Sequence, residues 1–290
     1  MNSSLAAHIT WDFDPVLFHL GGFQIRYYGV LFAAAIYTGY LLMKWQFKRG
    51  GISEEKADHF FLYSTLGIVI GARLGHVLFY EPGAFFANPL EILKIWHGGL
   101  ASHGATLGIM FAIWIYVKRQ RVPIIEVTDR VAMSVALGSS CVRLGNFLNG
   151  EIVGKVSDAP WAIVFKQYDN QPRIPTQLVE ITVGIAVFLI LYFVDRHYRE
   201  KRPRGLMTAL FFICYFTMRF FVEFLKEYQV DFLIQRSSPV TMGQLLSIPF
   251  VILGSVILYY SIKKWHVPVV SASAGASRGT PGYVKKKKKK

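Results

Sequence analysis

Seven stretches of this chain approach the roughly 20 mostly apolar residues that a helix needs to cross a bilayer. They are Tyr27–Trp45, Phe60–Tyr80, Gly98–Val117, Val131–Leu148, Gln177–Val194, Leu206–Leu225 and Gln244–Ile262. Backbone groups in hydrocarbon must be hydrogen-bonded internally, so such stretches are read as helices. Charged residues are only 17% of the chain, well below the quarter or so usual in a soluble domain. The expected fold is an all-α integral membrane protein with seven transmembrane helices. The fourth stretch is short and rich in small polar residues, which let helices approach closely, so it belongs inside the bundle.

Lys and Arg set the orientation. Before the tail is counted, fourteen of them belong to the connections after the first, third, fifth and seventh stretches, against seven in the longer alternate connections. The first set is expected in the cytoplasm, with the N-terminus outside and the C-terminus inside. Residues 1–26 are then expected to form an extracytoplasmic N-terminal arm, with a short hairpin around Gly21-Gly22 on the membrane surface. Residues 27–266 form the membrane domain, with a small extracytoplasmic cap over 155–176. Residues 267–290, rich in Ser, Ala, Gly and Lys, form a disordered basic tail facing anionic headgroups. Lys285–Lys290 account for six of the formal charge of +14, and the other basic residues sit in short loops, so nucleic acid is not an expected partner. No cleavable signal peptide is expected, because Met1–Trp11 lacks a basic start and a continuous apolar core. Cys141 and Cys214 lie inside apolar stretches and read as small buried hydrophobes.

Ionisable groups within apolar stretches mark functional sites. Under this topology Tyr28, Arg73, His103, Arg143, Asn146, Glu151, Arg219, Glu223 and Gln244 all fall toward the outer ends of six of the seven helices. The inner halves read as almost uniformly apolar. That lopsided pattern suits a site opening to the outer leaflet rather than a conduction path. Arg143 has no carboxylate at helical spacing before Glu151. Arg219 and Glu223 are four apart and fit either a self-neutralising pair or a site. Arg73, in Gly71-Ala72-Arg73-Leu74-Gly75, is either a packing cation with a snorkelling head or a ligand. One of Tyr27 and Tyr28 belongs to the interfacial aromatic belt. Asn149 and Gln244 can serve as interhelical glue, and His76 and His97 are read as structural. His103 lies among glycines, and a neutral imidazole is a competent base near pH 7. Guanidinium forks suit a phosphate, which at the outer leaflet means a phospholipid. No hydrolase triad order, metal-ligand cluster or nucleotide-binding loop is present, so no metal or cofactor is expected. The residues alone reach a phospholipid-binding integral membrane protein and favour an enzyme over a lipid transporter or scramblase. No internal repeat of the transporter type is visible.

The run Arg143-Leu-Gly-Asn-Phe-Leu-Asn-Gly-Glu-Ile-Val-Gly154 resembles the signature of the prolipoprotein diacylglyceryl transferases. The stretch from His97 to Gly104, Tyr27-Tyr28-Gly29, Gly71–Gly75, Pro175-Thr-Gln177, Arg219–Glu223 and Met242-Gly-Gln244 match that family in order and spacing, over about residues 12 to 262. The resemblance implies a bacterial inner-membrane enzyme whose site faces the extracytoplasmic side. The reaction moves the sn-1,2-diacylglyceryl group of phosphatidylglycerol to the lipobox cysteine thiol of a prolipoprotein, leaving a thioether and glycerol 1-phosphate. It implies Arg143 and Arg219 on the phosphate, His103 as base for the thiol, and Tyr28, Asn146, Glu151 and Gly154 shaping the headgroup pocket. Glu223 then orients Arg219 or meets the glycerol, and Arg73 and Gln244 complete the lipid-binding set. The chain departs from many relatives at Thr176, Val179 and Lys226, and a lysine at 226 cannot copy an arginine fork.

Overall fold

The computed structural model describes residues 8–21, 23–83, 88–93, 99, 101–227 and 240–263. His97 and the basic tail lie outside the described residues. Seven long helices dominate: α1 (Tyr27–Arg49), α2 (Glu54–Tyr80), α3 (Ser102–Gln120), α4 (Ile124–Leu148), α5 (Thr176–Tyr198), α6 (Leu206–Val222) and α7 (Met242–Lys263). Large apolar side chains are exposed along them, such as Leu62, Leu66 and Ile70 on α2 and Leu245, Ile252 and Val256 on α7. Water-soluble surfaces rarely show so wide an apolar belt, and lipid accounts for it. By length and composition α2, α4, α5, α6 and α7 can each cross a bilayer, whereas α1 and α3 are not among the helices that meet that standard. The fold is that of an all-α integral membrane protein.

The connections 50–53, 121–123 and 199–205 are short, so the helices they join run antiparallel. One end of the bundle carries these hairpins; the other carries two small sheets. β1 (Ile9–Trp11) pairs in parallel with β4 (Ile163–Phe165), which pairs antiparallel with β5 (Pro172–Arg173). The N-terminal segment and the loop before α5 therefore share one sheet. Trp11 packs on Phe147 at the end of α4, ring centroids 4.5 Å apart. β2 (Val16–Leu20) and β3 (Phe23–Arg26) form a separate hairpin whose Leu17, Phe18 and Leu20 are exposed. Arg173 ties the cap together: it bonds both Asp169 and Glu227, at 2.6 and 2.9 Å. Its guanidinium, hydrogen-bonded to Asp169, holds that carboxyl below the usual carboxylate range.

α4 is the pivot, packing on α1, α5 and α6. It is also the most buried of the five bilayer-length helices. Its Ala132, Met133 and Ala136 meet Val187 and Leu191 of α5 and Met207 and Phe211 of α6 in one apolar layer. The α2–α3 pair is held differently. Gly67, Gly71 and Gly75 face Gly104 and Gly108. A Cβ at Gly67 or at Gly71 would stand 2.7 Å from Gly108 backbone, and one at Gly75 would stand 2.6 Å from Gly104 Cα. Small residues at every fourth position let two helices touch backbone to backbone.

At the hairpin end the helices extend past their apolar stretches, and the added turns are charged. Arg130 is fully buried, bonding Glu126 at 2.6 Å and Glu200 at 2.8 Å. It also donates to the Gln46 carbonyl, while Gln46 donates to the Arg130 carbonyl at 2.8 Å. Arg49 forks onto both oxygens of Asp195 at 2.6 and 2.7 Å, and Arg202 bonds Asp195 at 2.9 Å. Asp129 accepts from the Gly205 and Thr208 amides at the start of α6, at 2.6 and 2.9 Å. The helices run deeper than their apolar runs because pairing neutralises the added turns; buried charges persist only when paired and hydrogen-bonded.

The α2–α3 contact predicts a selective response. Gly108→Ala should cost about 1–3 kcal/mol or more through overpacking against backbone. Gly138→Ala, with open space around its Cβ, should change stability by less than about 0.5 kcal/mol. Unfolding in mixed detergent micelles measures both.

Candidate functional site

The site is built where α4 ends. Asn149 closes the helix through its amide to the Gly145 carbonyl, and Gly150 turns at φ 64°. Ile152, at φ 59°, takes the same left-handed backbone without being glycine. Such strain persists only where surrounding contacts impose it. Here they come from α5: Gln177 donates to the Glu151 carbonyl at 2.7 Å and Thr176 to the Ile152 carbonyl at 3.0 Å. The loop then runs back so that Gly154 bridges Lys226. A side chain at Gly154 would sit 2.6 Å from the Ile174 oxygen and 2.8 Å from that of Leu225, so only glycine fits between the two strands.

The side chains below this turn form one connected set. Glu151 accepts from Asn146 at 2.8 Å and from Asn149 at 3.3 Å. Asn146 in turn accepts from Arg143 at 3.1 Å. Arg143 Nε lies 3.1 Å from Glu180 of α5. That approach is close enough for attraction, but it is not aligned as a hydrogen bond, since Glu180 Oε2 has no hydrogen-bond partner. Lys226 Nζ lies 2.8 Å from the other oxygen of Glu180 and 3.5 Å from Glu223. Arg219 of α6 reaches that oxygen at a longer 3.9 Å. Glu180 is therefore shared by three cations from three segments. α7 covers the far wall. A Cβ at Gly243 would stand 2.5 Å from both Glu223 oxygens, so the α7 backbone lies on that carboxylate. Gln244 is buried and accepts from the Thr241 amide at 3.0 Å. Tyr28 closes the side toward α1, its ring over Gly145, where a Cβ would stand 2.6 Å away.

The expected residues divide into two groups. Tyr28, Arg143, Asn146, Glu151, Gly154, Arg219, Glu223 and Gln244 line the walls just described. Arg73 and His103 belong to the α2–α3 pair. Arg73 is buried and donates to the carbonyls of Ile92 and Gly99, at 3.0 and 3.2 Å. His103 is exposed, with its ring 5.3 Å from Phe79 and 5.7 Å from Tyr80. His76 sits 3.5 Å from Glu81. Arg219 and Glu223 share a helix turn, yet the recorded ion pairs send each to a different partner: Arg219 to Glu180 and Glu223 to Lys226.

Glu180 is absent from the sequence-derived set, although one signal pointed to it. It is the only carboxylate inside the fifth apolar stretch, and an ionisable residue there asks for a partner. Lys226 enters the sequence reading only as a departure from the family pattern, and nothing local points to its pairing with Glu180.

Arg143, Arg219 and Lys226 are matched in number by Glu151, Glu180 and Glu223, so the chemistry of the site lies in how loosely these charges pair. Among the described residues, Glu180 Oε2, Glu223 Oε2, Gln177 Oε1, Gln244 Nε2 and Asn149 Oδ1 are buried without a hydrogen-bond partner. Buried polar atoms are normally paired, so this end of the bundle has unused acceptors, one unused amide donor and arginines held only loosely, at 3.1 and 3.9 Å from Glu180. Such an arrangement can hold an anion bearing hydroxyl groups. Among the described residues, no cluster of His, Cys, Asp and Glu could hold a metal ion.

Residues 15–260 match the family model for prolipoprotein diacylglyceryl transferase. Proteins named phosphatidylglycerol--prolipoprotein diacylglyceryl transferase are similar over nearly their whole length. The one from Bacteroides fragilis is 41% identical over 274 residues, 90% of this chain and 98% of that one. Those from Chloroherpeton thalassium and Tolumonas auensis are 40% and 39% identical, covering 89% and 88% of this chain and 96% and 98% of theirs. With a family model over most of its length and relatives of this identity, the chain belongs to the prolipoprotein diacylglyceryl transferase family.

Proposed function

We propose that the chain is a phosphatidylglycerol--prolipoprotein diacylglyceryl transferase that binds the lipid phosphate at the Glu180 cluster. One observation carries this reading: Arg143 and Arg219, from different helices, reach the same buried carboxylate. A carboxylate at that point occupies the position an anionic headgroup takes up. Bound phosphate draws the guanidinium groups toward itself, and Glu180 remains paired with Lys226. Lys226 thus acts as the charge that steadies Glu180 rather than as a phosphate fork.

In the reaction the cysteine sulfur attacks the glyceryl carbon bearing the phosphate. The S–C bond forms, the C–O bond breaks, and the electron pair leaves on the oxygen of glycerol 1-phosphate. Arg143 and Arg219 stabilise the charge gathering there. Asn146 holds Arg143, and Glu151 holds Asn146, so the amide is locked with its oxygen toward the arginine. Tyr28, Gly154, Glu223 and Gln244 shape the headgroup pocket, and Arg73 braces the loop that leads to α3. His103 takes the thiol proton; its exposure suits a residue that meets an incoming peptide.

Seven spans, with the N-terminus and the sheet end outside and the C-terminus in the cytoplasm, complete the reading. The arm over 1–26, the membrane domain over 27–266 with its cap over 155–176, and the basic tail over 267–290 follow from it. The Lys and Arg asymmetry of the loops supports this orientation. The bacterial inner membrane is the location that fits the family and its substrate class. An apolar layer of Met133, Ala136, Val187, Leu191, Met207 and Phe211 separates the Glu180 cluster from the charges at the hairpin end. A transporter or scramblase would need polar lining across that layer.

The decisive experiment is turnover of a lipobox peptide with phosphatidylglycerol, read as a diacylglyceryl thioether by mass spectrometry. Arg143→Ala should lower kcat/KM by about 100-fold or more, the scale of losing a transition-state donor. A thioether formed at wild-type rate by that variant would refute the assignment. Glu180→Gln separates holding from chemistry: the freed cations should bind glycerol 1-phosphate more tightly and release it more slowly, so product inhibition strengthens. His103→Gln should lose about 100-fold in rate near pH 7 and recover part of it as pH rises and the thiol ionises unaided. Unchanged turnover across pH would remove the base role and leave the lipid site standing.

A further inference from the structure

The hairpin end holds a second concentration of positive charge that the transferase reaction does not use. An open basin of about 740 Å³ is lined by Arg49, Arg196, His197, Tyr198, Arg199, Glu200 and Lys201. That volume lies within the roughly 300–1,000 Å³ common for small-ligand pockets. A cationic loop beside a membrane is usually only a solvated face. Three observations separate this one from that case.

The first is charge accounting. Glu200 is the single carboxylate in the wall, and both its oxygens are taken, by Arg49 at 2.7 Å and Arg130 at 2.8 Å. Arg49 is itself consumed by Asp195. Among the described residues, no carboxylate pairs with Arg196, Arg199 or Lys201. Three cations therefore face one hollow with no neutralising partner.

The second is rigidity. Of the lining residues, Arg49 and Glu200 are held by Asp195 and Arg130, which form a buried lattice with Arg202. Arg199 takes φ 49° and ψ −134°, a costly backbone for any residue but glycine. Its carbonyl is fixed by Arg202 at 3.0 Å.

The third is the setting. Trp45, its ring 4.6 Å from the Arg49 guanidinium, is exposed beside the basin, and Tyr198 lines it. Tyr198 is the last residue of α5, a bilayer-length helix, and Trp45 lies one turn before the end of α1. Aromatic rings among cations near helix ends mark the headgroup depth of a membrane.

We infer that this basin binds the phosphate of an anionic lipid in the leaflet facing the hairpin end, apart from the substrate lipid at the Glu180 cluster. A guanidinium pair and an ammonium fit a phosphate by charge-assisted bonds, and the acyl chains would lie along the exposed apolar flanks of α1 and α5. The inference stands on the basin alone and does not depend on the activity proposed above.

The test uses the full chain carrying Arg143→Gln, which weakens the other lipid site. Native mass spectrometry in phosphatidylcholine nanodiscs titrated with phosphatidic acid counts bound anionic lipid. Adding Arg196→Gln, Arg199→Gln and Lys201→Gln should weaken the remaining site by about tenfold or more, as expected for charge-assisted phosphate contacts. Arg196→Glu alone, at an exposed position outside the buried lattice, should also weaken it should the triple variant fold poorly. Competition by millimolar inorganic phosphate would assign the basin to soluble phosphate and overturn the lipid assignment. Equal phosphatidic acid binding by the parent and both variants would overturn the site itself.

Discussion

The carboxylate of Glu180 is the interaction on which the sheet end of the bundle depends. It is buried among apolar helices, where an isolated charge is prohibitively costly. Three cations approach it from α4, from α6 and from the strand after α6, and each would be equally costly alone. Their mutual attraction therefore determines which helix faces meet. It also joins the membrane bundle to the cap, because Lys226 is at once a partner of Glu180 and the strand partner of Gly154. Removing one member of such a set leaves an uncompensated charge, typically a loss of about 3–5 kcal/mol.

The hairpin end uses the same physics to a different end. There the arginines are forked onto carboxylates at 2.6 to 2.9 Å and their charges are largely cancelled. Asp129 holds the amides that begin α6 and fixes how that helix leaves its turn. At the sheet end several contacts are longer, at 3.1 to 3.9 Å, and Glu180 and Glu223 each keep an oxygen without a hydrogen bond. One network fixes the helices through short forks; the other leaves its arginines able to turn toward a ligand. The apolar layer between them keeps the two fields apart.

Much of the site was readable in the sequence because bilayer energetics make polar residues conspicuous. Arg143, Asn146, Glu151, Arg219 and Glu223 stand out against apolar neighbours, and the topology places them at one end. Glu180 was missed because a single acid in a long apolar stretch gives no hint of which distant cation it will meet. Asp129, Arg130 and Glu126 were missed for the opposite reason. They lie at the edge of an apolar run and look like solvated loop residues, yet Arg130 pairs with Glu126, Gln46 and Glu200, and Asp129 accepts from the start of α6, so the helices extend around them.

From the residues alone come the apolar runs, hence helices in a bilayer, and the loop cations, hence an expected orientation. These follow from local energetics, the solvation of each segment taken by itself. Tertiary structure alone decided that α4 is the pivot, that Arg143 and Arg219 share Glu180 while Arg219 and Glu223 take different partners, and that the N-terminal strand joins the cap sheet. Those outcomes are pairings between charges and strands far apart in the chain. Local pattern carries no record of them, because the free energy of a pair exists only once the fold has brought both members together.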